Sequence, residues 1–108
     1  MDFANQEEST KWFHEIMDTV QAEVAYKTAL NYFKGNNVPK DDAKAVRKLR
    51  QSVDYGYPQA LYLLGKCHYE GKGVEQNIEV AMELLQQAAD KGVEEAAEFL
   101  DDIEAGRR

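Results

Sequence analysis

The chain has 108 residues, 20 acidic and 13 basic side chains and a formal net charge of −7, which excludes nonspecific attraction to nucleic acid or to an anionic membrane as its main role. A single cysteine, Cys67, excludes an intrachain disulfide, and no apolar run approaches the roughly 20 residues needed to span a bilayer. Residues 1–8 lack the basic and apolar regions of a secretory signal, so a soluble cytoplasmic protein without a membrane role is expected.

From about Gln6 to Lys34 there is neither Gly nor Pro. Trp12, Phe13, Ile16, Met17, Val20 and Val24 recur at spacings of three and four, the mark of one apolar helical stripe. Asn5 or Ser9 can cap its start. The next helical segment follows the turn Asn36-Asn37-Val38-Pro39, with Asp41 placed to accept from the free amides of its first turn. It carries Ala45, Val46, Leu49 and Val53 on one face and stops before Gly56. Tyr57-Pro58 opens a third helix, where the missing proline amide is harmless. Gly71-Lys72-Gly73-Val74 forms another turn, Asn77 another cap, and Ala81, Leu84, Leu85, Ala88 and Ala89 another inner face. After Gly92 a last helix runs to about Glu104, with Ala96, Phe99, Leu100 and Ile103 on one side and acids elsewhere. Residues 106–108 read as a frayed tail.

These elements repeat. A shift of 36 positions, with no gap, carries Gly35 onto Gly71, Val38 onto Val74, Ala45 onto Ala81, Leu49 onto Leu85, Gly56 onto Gly92 and Ala60 onto Ala96. A fixed period of this size signals stacked units, none of which can bury its apolar face without a neighbour. The division is residues 1–23, the second helix of a degenerate unit; 24–59, the first full unit; 60–95, the second; and 96–108, a capping helix, all within one domain. In this register Val20 stands where Gly56 and Gly92 end their helices. Val adopts the left-handed conformation only at a cost, so the turn expected near residues 20–23 must form by other means. The alternative is one continuous helix whose end reaches away from the domain and invites pairing or swapping with a second copy. Charge follows the same division. Residues 1–23 hold one Lys against six acids (−5), residues 24–59 seven bases against three acids (+4), and residues 60–108 five bases against eleven acids (−6).

The pattern Ala60-x3-Leu64-Gly65-x3-Tyr69-x-Gly71-x-Gly73-Val74-x2-Asn77-x3-Ala81, then Ala88-Ala89-x2-Gly92-x3-Ala96, resembles the Sel-one-like repeat, a relative of the tetratricopeptide repeat. The first unit departs from it where Ala29 replaces the Gly of the Leu-Gly pair and Asn37 the second turn Gly; Asn tolerates the left-handed region better than most residues. The resemblance implies an all-α, right-handed solenoid of antiparallel helix pairs, about six helices in all, with the first helix of each unit lining a concave face. It further implies an adaptor, scaffold or regulator; some members neutralise toxins.

No constellation supports catalysis, a cofactor or a metal. His14 and His68 fall in different units and do not pair as ligands. Cys67 and His68 are sequence neighbours and so do not face each other on a helix. Gly71-Lys72-Gly73 lacks the spacing of a phosphate loop and follows a helix. Asp41-Asp42 and Asp101-Asp102 lack the spaced oxygen ligands of a calcium loop. Lys44, Arg47, Lys48 and Arg50 form a basic run without an aromatic stacking set, which does not suit nucleic acid.

What the register does offer is a candidate partner-binding surface on the first helices. Tyr26, Tyr62 and Glu98 are equivalent by the 36-residue shift, as are Leu30, Lys66 and Asp102, with Lys27 and Asn31 at one end of the same face. Tyrosine buries much area at small entropic cost and keeps a hydroxyl to orient. The sequence therefore reads as a non-catalytic protein–protein interaction module. One form of that reading is a dedicated acidic neutraliser, an immunity protein, of a basic toxin or effector; the alternative is an adaptor or regulatory scaffold that binds peptide segments in its groove. A monomer and a homodimer through the N-terminal helix both remain open.

Overall fold

The computed structural model describes residues 6–107, with side chains from residue 11 onward. Asn5, one of the two expected caps, and Arg108 lie outside the described residues. Among the described residues the chain is all-helical: α1 (Gln6–Lys34), α2 (Asp42–Asp54), α3 (Pro58–Glu70), α4 (Ile78–Asp90) and α5 (Glu94–Glu104). α1 packs against α2 and α3 against α4 as hairpins, and α2 on α3 and α4 on α5 join the units into an α-solenoid. No described helix is long and apolar enough to cross a membrane.

The local chemistry follows the repeat. The Asp41 carboxylate accepts from the Lys44 amide and the Asn77 side chain from the Val80 amide, each at 3.1 Å; such a cap contributes about 1 kcal/mol. At the far end of α2 the Gly56 amide donates to Val53 and the Tyr57 amide to Ser52. Gly92 and Val93 repeat this pair of bonds with Ala89 and Ala88. This is the Schellman closure, and it needs the left-handed backbone that Gly56 (φ 84°) and Gly92 (φ 93°) supply.

The turn expected near residues 20–23 does not form. α1 is one helix of 29 residues, which is why five helices stand where about six were expected. Val20 occupies the position of Gly56 and Gly92, and Ala22 that of Pro58; without a residue suited to the left-handed turn, helical hydrogen bonding continues through the site. Only the C-terminal part of α1 lies against α2, through Ala22, Ala25, Ala29 and Phe33, all buried. The fully buried Ser52 hydroxyl donates to the Ala22 carbonyl at 2.7 Å, at the point where α1 leaves its partner. Ser9, the other expected cap, lies inside α1.

Two apolar clusters hold the stack. One joins Phe33, Val46, Leu49, Leu64 and Cys67 across α1, α2 and α3; the other joins Leu61, Leu85, Val93, Phe99 and Leu100 across α3, α4 and α5. Leu49 and Leu85, equivalent by the repeat, are both fully buried, each contributing about 2 kcal/mol by burial. Leu64 belongs to the first cluster and Leu61 to the second, so α3 serves the packing of both units.

Candidate interaction surface

The sequence-predicted residues fall into two groups. Tyr26 is half-buried and stacks on Tyr57, ring centroids 5.0 Å apart and planes inclined by 30°. Its phenol titrates above the usual tyrosine range, chiefly because it is buried and secondarily because Tyr57, Tyr62 and Glu95 lie close enough to disfavour a second negative charge. Tyr57 at the start of α3, Tyr62 on α3 and Glu95 on α5 thus all lie within electrostatic reach of the Tyr26 phenol. Tyr62 also packs edge-on against Phe99 at 6.4 Å, so this ring serves the core as well as the surface. Lys66 places its ammonium 5.6 Å from the Tyr62 ring centroid, a cation–π arrangement that holds the amine over the tyrosine row. Glu98 is exposed one turn beyond Glu95.

The other residues are engaged locally. The Lys27 ammonium is paired with Glu23 at 2.9 Å on an exposed helix face, and that hydrogen-bonded carboxylate raises the lysine above its ordinary range. Asn31 is exposed, and its backbone carbonyl accepts from Gly35 and Asn36 at the end of α1. Asp102 is held by the Arg107 guanidinium at 2.8 and 2.9 Å. Arg107 therefore closes back onto α5, and the frayed tail expected from residue 106 onward does not apply to it. The amide of Arg107 also donates to the Asp102 carbonyl.

Sequence reasoning missed Tyr57 and Glu95, because neither shares a column with Tyr26 in the 36-residue register; Tyr57 reaches it from the cap of the next helix. A second omission is a half-open pocket of about 260 Å³ between α1 and α3. Leu30, Phe33 and Leu63 form its apolar floor, Cys67 its base, and Lys34, Lys66, Lys72 and Glu70 its rim. The Lys72 ammonium lies 4.9 Å from the Phe33 ring centroid, so a residue of the second unit's turn reaches back to the first unit's first helix. The equivalence of Leu30 with Lys66 in the register was the available signal; the contribution of Lys72 was not visible without the turn's path.

The chemistry available here is that of recognition. Burial pushes the Cys67 thiol up to about 11, against the opposing influence of Lys72, so it is a neutral, weakly nucleophilic group near pH 7. Cys67 and His68 line different pockets, His68 facing a space shared with Arg50, Val74 and Asn77. Among the described residues no group of three His, Cys, Asp or Glu side chains is placed to hold a metal ion. The basic run on α2 is exposed at Lys44, Arg47 and Arg50, with the Lys44 ammonium 5.9 Å from the Tyr32 ring centroid.

Compared with known proteins, the chain matches the Sel1 repeat over residues 22–47 and 58–93. Among solved structures it is similar to a Sel1 repeat protein from Oxalobacter formigenes (28% identity, TM-score 0.73), covering 75% of this chain and 61% of that one. It is similar to cysteine-rich protein B of Helicobacter pylori (26% identity, TM-score 0.69; 72% of this chain, 59% of that one). It also resembles a protective antigen of uropathogenic Escherichia coli with an SLR fold (29% identity, TM-score 0.69; 81% of this chain, 19% of that one). The chain thus spans about three fifths of the first two relatives and about one fifth of the third.

Proposed function

From the premise that the chain belongs to the Sel1 repeat family, whose members generally mediate protein–protein interaction, we propose that it is a non-catalytic binding module whose partner lies across α1, α3 and α5. The observation that carries this reading is the row of Tyr26, Tyr57 and Tyr62 leading to Glu95 on α5. Tyrosine faces accept arginine and lysine side chains, and carboxylates beyond them complete the pairing. Together with the net charge of −7, this supports a basic protein as partner and, in its most specific form, a toxin or effector that the chain neutralises in the cytoplasm. Acidic complementarity would speed the encounter and set its salt dependence.

One observation favours a second reading. The pocket between α1 and α3 has an apolar floor and three lysines at its rim, which suits an apolar side chain flanked by carboxylates on a peptide segment and so an adaptor. Capture from host lysate at low and high salt, read by mass spectrometry, separates the two. A neutraliser retains one basic protein in stoichiometric amount, and the double reversal Glu95→Lys with Glu98→Lys weakens capture at least about tenfold, the effect of losing one or two charge-assisted contacts. An adaptor retains several partners weakly, is insensitive to that change, and loses them on Lys66→Glu.

A further inference from the structure

The N-terminal extension of α1 and the open end of the stack are two halves of one repeat interface. Trp12, Phe13, Ile16, Met17 and Val20 are all exposed, Trp12 at 64%. By the 36-residue shift Phe13 corresponds to Leu49 and Leu85, and Ile16 to Ser52 and Ala88; all four counterparts are fully buried. The extension thus carries the apolar face of a second helix, yet α1 continues without a turn and does not fold it back onto its own unit.

The surface such a helix would cover is also open. Between α1 and α2 lies a groove of about 510 Å³ that includes Val24, Ala25 and Thr28 on one side and Lys48, Gln51 and Tyr55 on the other. Val24 is 54% exposed, whereas its counterparts Ala60 and Ala96 are fully buried in the two clusters where α2 packs on α3 and α4 on α5. The groove therefore continues, at the free end of the stack, the interface the molecule already forms twice within itself.

We infer that a second copy of this chain occupies that groove: the extension of each protomer docks on the open end of the other, reciprocally. Charge selects this arrangement over pairing of the two extensions with each other. Residues 1–23 carry −5 and residues 24–59 carry +4, so the extension meets opposite charge on the partner's first unit but like charge on the partner's extension. Length is sufficient, because the 16 residues before Ala22 span about 24 Å against about 20 Å for α2. The apolar side chains from Trp12 to Val24 expose roughly 600 Å² per protomer, so a reciprocal pair buries about 1,200 Å² from these residues alone, the lower bound for a specific dimer.

The test is solution mass by light scattering for the wild type, Ile16→Asp on the extension and Thr28→Trp in the groove, with helicity checked by circular dichroism. Neither site is buried, so both variants retain the fold. The wild type is expected at twice 12.3 kDa, each variant at the single mass, and an equimolar mixture of the two variants to recover a heterodimer through its one intact contact. A monomeric wild type overturns the inference. So does a Thr28→Trp variant that stays dimeric while Ile16→Asp is monomeric, since that is the signature of extension pairing with extension.

Discussion

Phe99→Ala is expected to lower the unfolding free energy by about 3–5 kcal/mol. Phe99 is among the largest fully buried side chains. It receives Tyr62 edge-on at 6.4 Å and Tyr69 at 5.3 Å with planes at 90°, so one ring joins α5 to both ends of α3. Truncation removes the transfer free energy of the ring and leaves a cavity between α3 and α5. Against a total stability of about 5–15 kcal/mol for a domain, the expected loss is large enough to undock α5. Urea unfolding followed by circular dichroism measures it. A loss below about 1 kcal/mol would mean that α5 contributes little to the stack.

Gly73→Ala is expected to cost on the order of 3 kcal/mol, from the sum of a left-handed backbone and an overpacked contact. Gly73 has φ 76°. A Cβ there would press into the Asp42 carbonyl oxygen and lie 2.8 Å from Val46 Cγ2, and backbone at the start of α2 cannot yield as a flexible side chain would. Gly92→Ala is the control. It shares the positive φ (93°) but would meet nothing within 4 Å, so only the conformational cost of about 1 kcal/mol applies. Thermal and urea melts of the pair separate the two contributions. Equal losses at the two sites would show that the turn of the second unit does not abut α2.

The same comparison explains a departure between the two repeats. Asn37, equivalent to Gly73, also has a positive φ, 63°, which asparagine tolerates. Asn37 is exposed at its turn, whereas Gly73 is pinned against α2. The sequence pattern made the backbone requirement legible at both positions, but the packing requirement belongs to a neighbour 31 residues away from Gly73 and leaves no local trace.

The helix pairs, the caps at Asp41 and Asn77 and the ends at Gly56 and Gly92 were legible because each depends on a few residues at fixed spacing. Near Val20 the sequence left a turn and a continuous helix as alternatives, with the turn favoured, and the helix is what forms. The period implied a turn there, while the local chemistry of Val20, Gln21 and Ala22 supplied no residue able to make one, and local chemistry prevailed. The proposed binding face was legible in part. Tyr26 and Tyr62 were found from the register, and the structure brings Tyr57 and Glu95 to them from positions outside it. The lysine-rimmed pocket was invisible for a similar reason, since Lys72 reaches Phe33 across a unit boundary.

Binding across the face of α1, α3 and α5 is tested most directly by site-specific photo-crosslinking in host lysate. A photoreactive residue is placed singly at Lys27, Glu98, Arg50 and Gln86, all of which are exposed, on α1, α5, α2 and α4 respectively. Crosslinks from Lys27 and Glu98 to one and the same protein, with Arg50 and Gln86 silent, are the predicted result. Capture of that partner from Arg50 and Gln86, with Lys27 and Glu98 silent, would place it on the second helices and contradict the account.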